Sequence, residues 1–551
     1  MSADRSRIFP QTAAAMHIFL QFLLERRWSI FKTYVCVPLG VVLTMSLLYG
    51  VDRLIKNCIK VVFPASVAVM LINFAFMCSL AACKRPYVDW YVKIIDVPLS
   101  WALRWMNVFF TPAFVVLPLS PWISFKEALL ICAVFVLGYL LAFACLAYAT
   151  VLGQKLQGSR RLRSIFVRQE ELHRGEYETI QLDEISTPES STAATRRRSS
   201  IHMPLRRLEP ALVKSLTEVD SQTITMDSSH DTTICKRALT HQFSAQVDAR
   251  IAINLWNDHL HHVLFAFGWV ATLFTYYFQW YPTPFHLFTA VTTFMIIVDT
   301  PYIKNRPLLK KLIHPVICSV GLTWIVMLLS SLFKYRDIDS FMQGLKQYKT
   351  GRTYLHLFDT TQYGPNKLPG AGDIFSSCMD VAIVGLSLPM YTYRTDLKKH
   401  FFSMIPPILA FTAACIMLYP MICYHIGISS SRSIGYAGRS VTLALGTPMI
   451  QNLGGDETIM AVTTVMSGVI GSLTGNGMLN FLRVPEDDYV TRGLTLGCNC
   501  GAIATAYLLG IDRRAAAISS LSFVLFGATM VILSAIGPVK HFVHVLAHFQ
   551  S

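Results

Sequence analysis

Residues 438–455 read Gly-Arg-Ser-Val-Thr-Leu-Ala-Leu-Gly-Thr-Pro-Met-Ile-Gln-Asn-Leu-Gly-Gly and carry one charged side chain, Arg439. A guanidinium offers five N–H donors in a planar fork that matches a carboxylate. Ser440, Thr442, Thr447 and Asn452 lie close in sequence to supply hydrogen bonds to carboxylate or hydroxyl oxygens. Gly446, Pro448 and the pair Gly454-Gly455 break the stretch into helical pieces, yet it is too apolar for a water-exposed loop. Irregular backbone at membrane depth survives only where it is buried in protein or lines a watery cavity. In carriers such segments turn half-helix ends and free backbone groups toward an anion or ion. An Arg at the bilayer centre costs about 2.5–3.5 kcal/mol on insertion scales, which marks Arg439 as a functional-site residue. The bland alternatives are a re-entrant packing element without a ligand, or a surface position for Arg439, since Arg432 lies seven residues before it.

A second Gly-interrupted stretch, Thr495-Leu496-Gly497-Cys498-Asn499-Cys500-Gly501-Ala502-Ile503-Ala504-Thr505-Ala506, has the small residues that let backbones approach. Asn499 needs a polar partner in lipid, and Gly454, Gly455, Gly497, Gly501 and Thr505 join the expected binding set. Two broken segments in one module point to a transporter site. Cys498 and Cys500 lack nearby His or acid and give at most half a metal site, so neither metal nor cofactor is expected. Asp380 is a candidate for a coupling proton, because burial raises a carboxyl pKa; pairing with a polar neighbour is its bland reading. Gly468, Gly471 and Gly475 read as a helix-packing face. The groups His541/His544/His548 and Asp258/His259/His261/His262 could each bind a metal, but read first as interfacial helix ends.

Gly370-Ala371-Gly372-Asp373 matches the GxGD pattern of intramembrane aspartyl proteases, whose chemistry needs a second Asp. The only acid in the two preceding spans is Asp299, set in Val298-Asp299-Thr300 rather than after a Tyr, and the downstream Pro-Ala-Leu is absent. The chain is therefore expected not to be an enzyme.

The elements that must hold these residues follow from composition. Of 551 residues, 53% are hydrophobic and 15% charged, against about 25% charged in soluble domains, and the mean hydropathy is +0.45. Windows of 18 or more nearly uncharged residues are long enough to cross a bilayer core about 30 Å thick. The expectation is an all-α polytopic membrane protein of about twelve spans with one or two broken or re-entrant segments. They are placed at 33–50, 61–82, 96–118, 127–153, 257–279, 284–300, 312–333, 374–393, 402–427, 457–481, 489–510 and 516–538. The net charge of +15 does not imply nucleic acid: the polar stretch 154–250 holds 15 basic and 13 acidic residues, and the rest of the excess sits among membrane loops, where Lys and Arg orient helices. The thirteen cysteines are scattered through apolar runs and read as small hydrophobes rather than a disulfide framework.

The expected organisation is an N-terminal tail at 1–32, a four-span module at 33–153, a disordered polar linker at 154–250 with 22 Ser and Thr, and an eight-span module at 251–551. Arg196-Arg197-Arg198-Ser199-Ser200 is either a basophilic kinase site, at Ser199 or Ser200, or a basic patch near anionic lipid. Residues 334–373 are expected as a long polar loop. Basic residues at the span ends place both termini in the cytosol. The apolar run Ala13–Leu24 ends in Glu25-Arg26-Arg27, a poor cleavage site for a signal peptide.

At these residues the chain resembles a known family. Residues 283–538 resemble LrgB (CidB) membrane proteins, and 33–153 resemble their partner LrgA (CidA). Phe63-Pro64-Ala65-Ser66-Val67-Ala68-Val69-Met70-Leu71 is similar to the LrgA pattern Pro-Gly-Ser-Val-Ile-Gly-Met-Leu, and Phe109-Phe110-Thr111-Pro112-Ala113 to its Phe-Val-Pro-Ala. Val381 through Tyr391, ending Ser387-Leu388-Pro389-Met390-Tyr391, resembles the LrgB run Ala-Val-Pro-Leu-Tyr. Residues 439–455 resemble Lys-Ser-Val-Thr-Thr-Pro-Ile-Ala ending in Gly-Gly, and 497–506 resemble Gly-Thr-Ala-Ser-His-Ala-Ile-Gly-Thr-Ala. Three departures stand out: Gly501 replaces the family His, Arg439 the Lys, and Asp380-Val381 the Gly-Pro. Both halves on one chain resemble the fused glycolate/glycerate translocator type of plastids, with a non-plastid, fungal-like member as the expectation. The resemblance implies a carrier of small monocarboxylates such as glycolate, glycerate or pyruvate working by alternating access, with a holin-like pore or exporter regulator as the alternative. It also implies a small organic anion and the lipid bilayer as partners, a homo-oligomer among the options, and a plasma or organelle membrane, mitochondria included.

Overall fold

The computed structural model describes residues 27–28, 31–59, 63–83, 85–120, 122–157, 262–278, 281–300, 315–359 and 368–549. All of them belong to one unit, Leu20–Ser159 with His259–Ser551. Residues 158–250, with Ser199 and Ser200, lie outside the described residues, as do Asp258, His259 and His261.

Among the described residues every regular element is helical. The first part contains α1 (Val37–Leu54), α2 (Ala65–Cys83), α3 (Arg85–Phe109), the short α4 (Thr111–Val115) and α5 (Phe125–Gln157). The second begins with α6 (His262–Tyr277) and α7 (Thr283–Asp299), then α8 (Pro315–Tyr335), α9 (Asp339–Tyr348), α10 (Tyr354–Phe358), α11 (Ala371–Gly385), α12 (Ser387–Thr392) and α13 (Arg394–Ile426). It ends with α14 (Ser430–Tyr436), α15 (Leu443–Leu453), α16 (Glu457–Phe481), α17 (Tyr489–Leu509), α18 (Arg513–Ala535) and α19 (Gly537–Leu546). Nine helical segments among the described residues are long and apolar enough to cross a membrane. The other three expected spans coincide with the shorter apolar helices α6 and α7 and with α17. The chain is an all-α polytopic membrane protein.

Two local expectations are corrected. The stretch 334–373 is not all loop: Phe341, Leu345 and Tyr348 give α9 an apolar face that packs on Val115, Val320 and Met327, an i, i+4, i+7 pattern of an amphipathic helix. The span expected to end at 153 continues as α5 to Gln157, where Gln154 Nε2 donates to Asp488 Oδ1 (3.1 Å) and Thr491 Oγ1 (3.0 Å).

Asp373 of the GxGD-like run is a structural acceptor. Its carboxylate takes hydrogen bonds from Gly370 N (2.9 Å), Gly351 N (3.0 Å), Thr350 N (2.9 Å) and Thr350 Oγ1 (2.6 Å), which caps α11 and ties it to the preceding loop. Burial lowers the pKa of the neighbouring Lys349 ammonium, with the Asp373 carboxylate opposing that shift.

Small residues set the tight packing that carries the site. A Cβ on Gly468 would lie 2.7 Å from Ile503 Cβ, and one on Gly475 2.5 Å from Leu496 Cδ2, so α16 and α17 meet along the expected Gly face. A Cβ on Gly497 would lie 2.6 Å from the Ser519 carbonyl, which seats α17 on α18. One hydrophobic core runs from Val37 to Ala547 and includes residues of both the 33–153 and the 262–549 segments. Helix α11 packs on α2 and α3, and α5 packs on α13 and α17.

Candidate functional site

The backbone breaks twice where the sequence places glycine. Helix α14 stops at Tyr436, and residues 437–442 form tight turns, with Arg439 N bonded to Tyr436 O (3.0 Å) and Val441 N to Gly438 O (2.9 Å). Gly438 leaves room for Met460, whose Cγ would lie 2.5 Å from an added Cβ. Thr442 then caps α15 in an extended conformation, and its carbonyl accepts from both Leu445 N (3.0 Å) and Gly446 N (2.7 Å).

The second break is inside α17, at Gly501, with φ 64° and ψ −149°. That region is essentially restricted to glycine. Thr505 Oγ1 donates to the Gly501 carbonyl (3.0 Å) and pairs with Ser519 Oγ (2.7 Å), which ties the start of the 502–509 half-helix to α18. A Cβ on Gly501 would lie 3.1 Å from Thr442 Cγ2 and 3.8 Å from the Ser440 carbonyl. The two breaks therefore face each other, and the N-termini of α15 and of the 502–509 half-helix start at this crossing.

Arg439 occupies the crossing and is wholly buried, at 0% exposure. Its Nη2 donates to Asn499 Oδ1 (2.7 Å) and Tyr419 Oη (2.9 Å), and its Nη1 to Ser467 Oγ (3.2 Å). The guanidinium faces the rings of Tyr419 (5.2 Å) and Tyr139 (5.7 Å). Its Nε has no partner, and among the described residues no carboxylate lies within ion-pair distance. A buried cation without a counter-charge is costly.

Asn499 joins the two breaks. Its Oδ1 accepts from Arg439 and, at 3.5 Å, from Ser440 Oγ, while its Nδ2 donates to the Tyr139 carbonyl (3.4 Å). Tyr419 Oη donates to the Gly138 carbonyl (3.3 Å), and Tyr436 packs edge-on against Tyr419 with its own buried hydroxyl unpartnered. Depth follows from helix rise. Tyr139 lies 14 residues after the start of α5 and 18 before its end, about 21 and 27 Å along the axis. The crossing thus sits far from both helix ends.

Of the residues singled out by sequence, Arg439, Ser440, Thr442, Asn499 and Gly501 meet here, with Thr505 supporting the break. The others are placed elsewhere. Thr447 Oγ1 returns to the Leu443 carbonyl of its own helix (3.0 Å), and Asn452 pairs with Ser534 (3.2 Å). Gly454 closes α15 with φ 75°, and Gly455 packs on Gly435, an 11-residue helix away from Thr442, about 16 Å. Gly497 packs on α18. Asp380 lies on α11, the helix that packs on α2 and α3. Sequence reasoning missed Tyr139, Tyr419, Tyr436 and Ser467, which have no local signal beyond a hydroxyl in an apolar run.

Fold and site define a polytopic helical membrane protein in which two broken helices cross around a buried cation. Residues 293–537 match the model of the LrgB-like family. Holin-like protein CidB of Staphylococcus aureus (strain N315) is 29% identical over 168 residues, 30% of this chain and 71% of the relative. Holin-like protein CidB of Staphylococcus epidermidis (strain ATCC 12228 / FDA PCI 1200) is similar to the same extent. Antiholin-like protein LrgB of Bacillus subtilis (strain 168) is 23% identical over 162 residues, 29% of this chain and 69% of the relative. No solved structure matches the chain. The 293–537 segment of this membrane protein, which holds both breaks, is LrgB-like and similar to the CidB and LrgB proteins.

Proposed function

We propose that this chain is a carrier for small monocarboxylates of the glycolate, glycerate or pyruvate type, not an enzyme, and that Arg439 binds the carboxylate. The observation that carries the reading is a wholly buried guanidinium with an unpartnered Nε and no acid beside it, set where two helix N-termini begin. A bound carboxylate would supply the missing counter-charge through charge-assisted hydrogen bonds. Ser440, Thr442 and Asn499 are in place for the substrate hydroxyl and the second oxygen. Enclosure of the guanidinium, at 0% exposure among the described residues, supports alternating access. Asp380 remains the candidate coupling group, at the contact of α11 with α2.

The relatives' printed names favour a second reading, a holin-like pore. Uptake of labelled glycolate and D- or L-glycerate into liposomes holding the purified protein separates the two. A carrier gives saturable, stereoselective uptake; linear uptake that also admits unrelated solutes of similar size would establish the pore. Arg439→Gln loses both charge and fork and is expected to raise the apparent KM by about tenfold or more, while Arg439→Lys keeps the charge and falls between Gln and wild type. Equal KM values in all three, at matched protein per liposome, would remove Arg439 from the site.

A further inference from the structure

We infer that Tyr139, from the last helix of the four-span segment, is a wall of the anion site that positions Arg439 and limits substrate size. The inference rests on the reading of Arg439 as the carboxylate anchor. Tyr139 is 2% exposed and holds three site elements at once. Its ring faces the Arg439 guanidinium at 5.7 Å, its carbonyl accepts from Asn499 Nδ2 at 3.4 Å, and its hydroxyl meets Cys500 Sγ at 3.5 Å. Cys500 directly precedes the break at Gly501, so the ring spans from the cation to the break. The guanidinium is held between two aromatic rings, and only Tyr419 belongs to the 251–551 segment.

Two consequences follow from this geometry. A desolvated cation over a ring is held more firmly than an exposed one, so the ring fixes the direction of the donors Arg439 offers to a carboxylate. The same ring occupies the space that a longer acyl chain would need beside the guanidinium, which restricts the site to acids of about two or three carbons. The four-span segment is then part of the substrate site rather than a support for it.

The test compares wild type, Tyr139→Phe and Tyr139→Leu in the full chain reconstituted in liposomes at matched protein levels. Uptake of glycolate, pyruvate and the straight-chain C4 to C6 monocarboxylates is measured. Tyr139→Leu, which loses the ring, is expected to raise the KM for glycolate about tenfold with a smaller change in kcat. It is also expected to increase uptake of C5 and C6 acids relative to glycolate. Tyr139→Phe keeps the ring and should recover most of the KM and all of the chain-length restriction. A purely structural Tyr139 would lower abundance or kcat in Tyr139→Leu with KM and chain-length profile unchanged, and that result overturns the inference. Arg439→Gln, run in parallel, separates the two ideas. If Arg439→Gln raises KM and Tyr139→Leu does not, only the wall is lost; if Arg439→Gln is silent, the anchor fails.

Discussion

At the scale of single residues, the site depends on Gly501 and on the hydroxyl that supports it. Gly501 has φ 64° and ψ −149°, so an alanine there is strained whatever space surrounds it. Thr505 Oγ1 donates to the Gly501 carbonyl at 3.0 Å and pairs with the buried Ser519 Oγ at 2.7 Å. Thr505→Val keeps the shape and removes the hydroxyl, which leaves Ser519 Oγ without that partner and costs on the order of 1–3 kcal/mol. The expected outcome is a lower thermal midpoint in detergent and a reduced uptake rate, whereas Thr505→Ser retains both. An unchanged midpoint in the Val variant would mean that the Ser519 hydroxyl finds another partner. The sequence shows why some residues were readable and others were not. Arg439 is a lone charge among apolar neighbours, and Gly501 interrupts a span, so both stand out. Tyr139 does not: Tyr148, nine residues on in the same helix, is 56% exposed while Tyr139 is 2%, and nothing local in an apolar 33-residue run distinguishes the tyrosine that faces a cation from the one that faces outward.

At the scale of elements, spans were legible because hydropathy acts locally, and the kink at Gly501 falls inside its Gly-interrupted stretch. The first break is a correction: Gly446 and Pro448 lie inside the continuous α15, which only Gly454 ends, and the turn comes before that helix, at 437–442. Which broken piece meets which was not legible, since it depends on tertiary packing; Thr447 and Asn452 therefore read as site residues although their hydroxyl and amide are spent on Leu443 and Ser534. Helix α9 was missed because its polar face hides the apolar one in a composition average. The cap of α11 illustrates the converse, a motif resembling catalytic chemistry that serves backbone geometry. Four donors converge on Asp373, and Asp373→Ala would strand the amides of Thr350, Gly351 and Gly370. A loss of about 1–2 kcal/mol is expected, read as a lower thermal midpoint and faster proteolysis between α9 and α11. If the Ala variant matches wild type in both, the loop is not anchored by this carboxylate.

At the scale of the molecule, the proposed carrier function requires the enclosed crossing to open toward one side and then the other, and polar clusters tie the helices at opposite ends of α5 and α13. Near the start of α5, Glu127 accepts from Ser429 N (3.1 Å) and Ser429 Oγ (2.9 Å) and pairs with Arg432, while Arg432 Nε lies 3.7 Å from Asp456. Near the start of α13, Asp396 pairs with Arg514 (3.1 Å) and accepts from Tyr489 Oη (3.4 Å). Arg514 stacks on the Tyr489 ring at 4.1 Å. The first cluster is the more enclosed, with side chains of Arg432 and Glu127 at 21% and 14% exposure against 48% and 21% for Arg514 and Asp396, and exposed pairs contribute only about 0–1 kcal/mol. Glu127→Gln should therefore shift the balance of open forms more than Asp396→Asn. The readout is the thiol of Cys500, 3% exposed beside Tyr139, in a background where it is the sole cysteine. Glu127→Gln is expected to speed labelling by a membrane-impermeant thiol reagent about fivefold or more from the side on which α5 begins, and Asp396→Asn to speed it less and from the opposite side. Saturating glycolate should slow labelling in both variants, because the anion and the reagent compete for the same crossing. Equal labelling from the two sides in every variant would show that these clusters fasten the helix ends without governing access to Arg439.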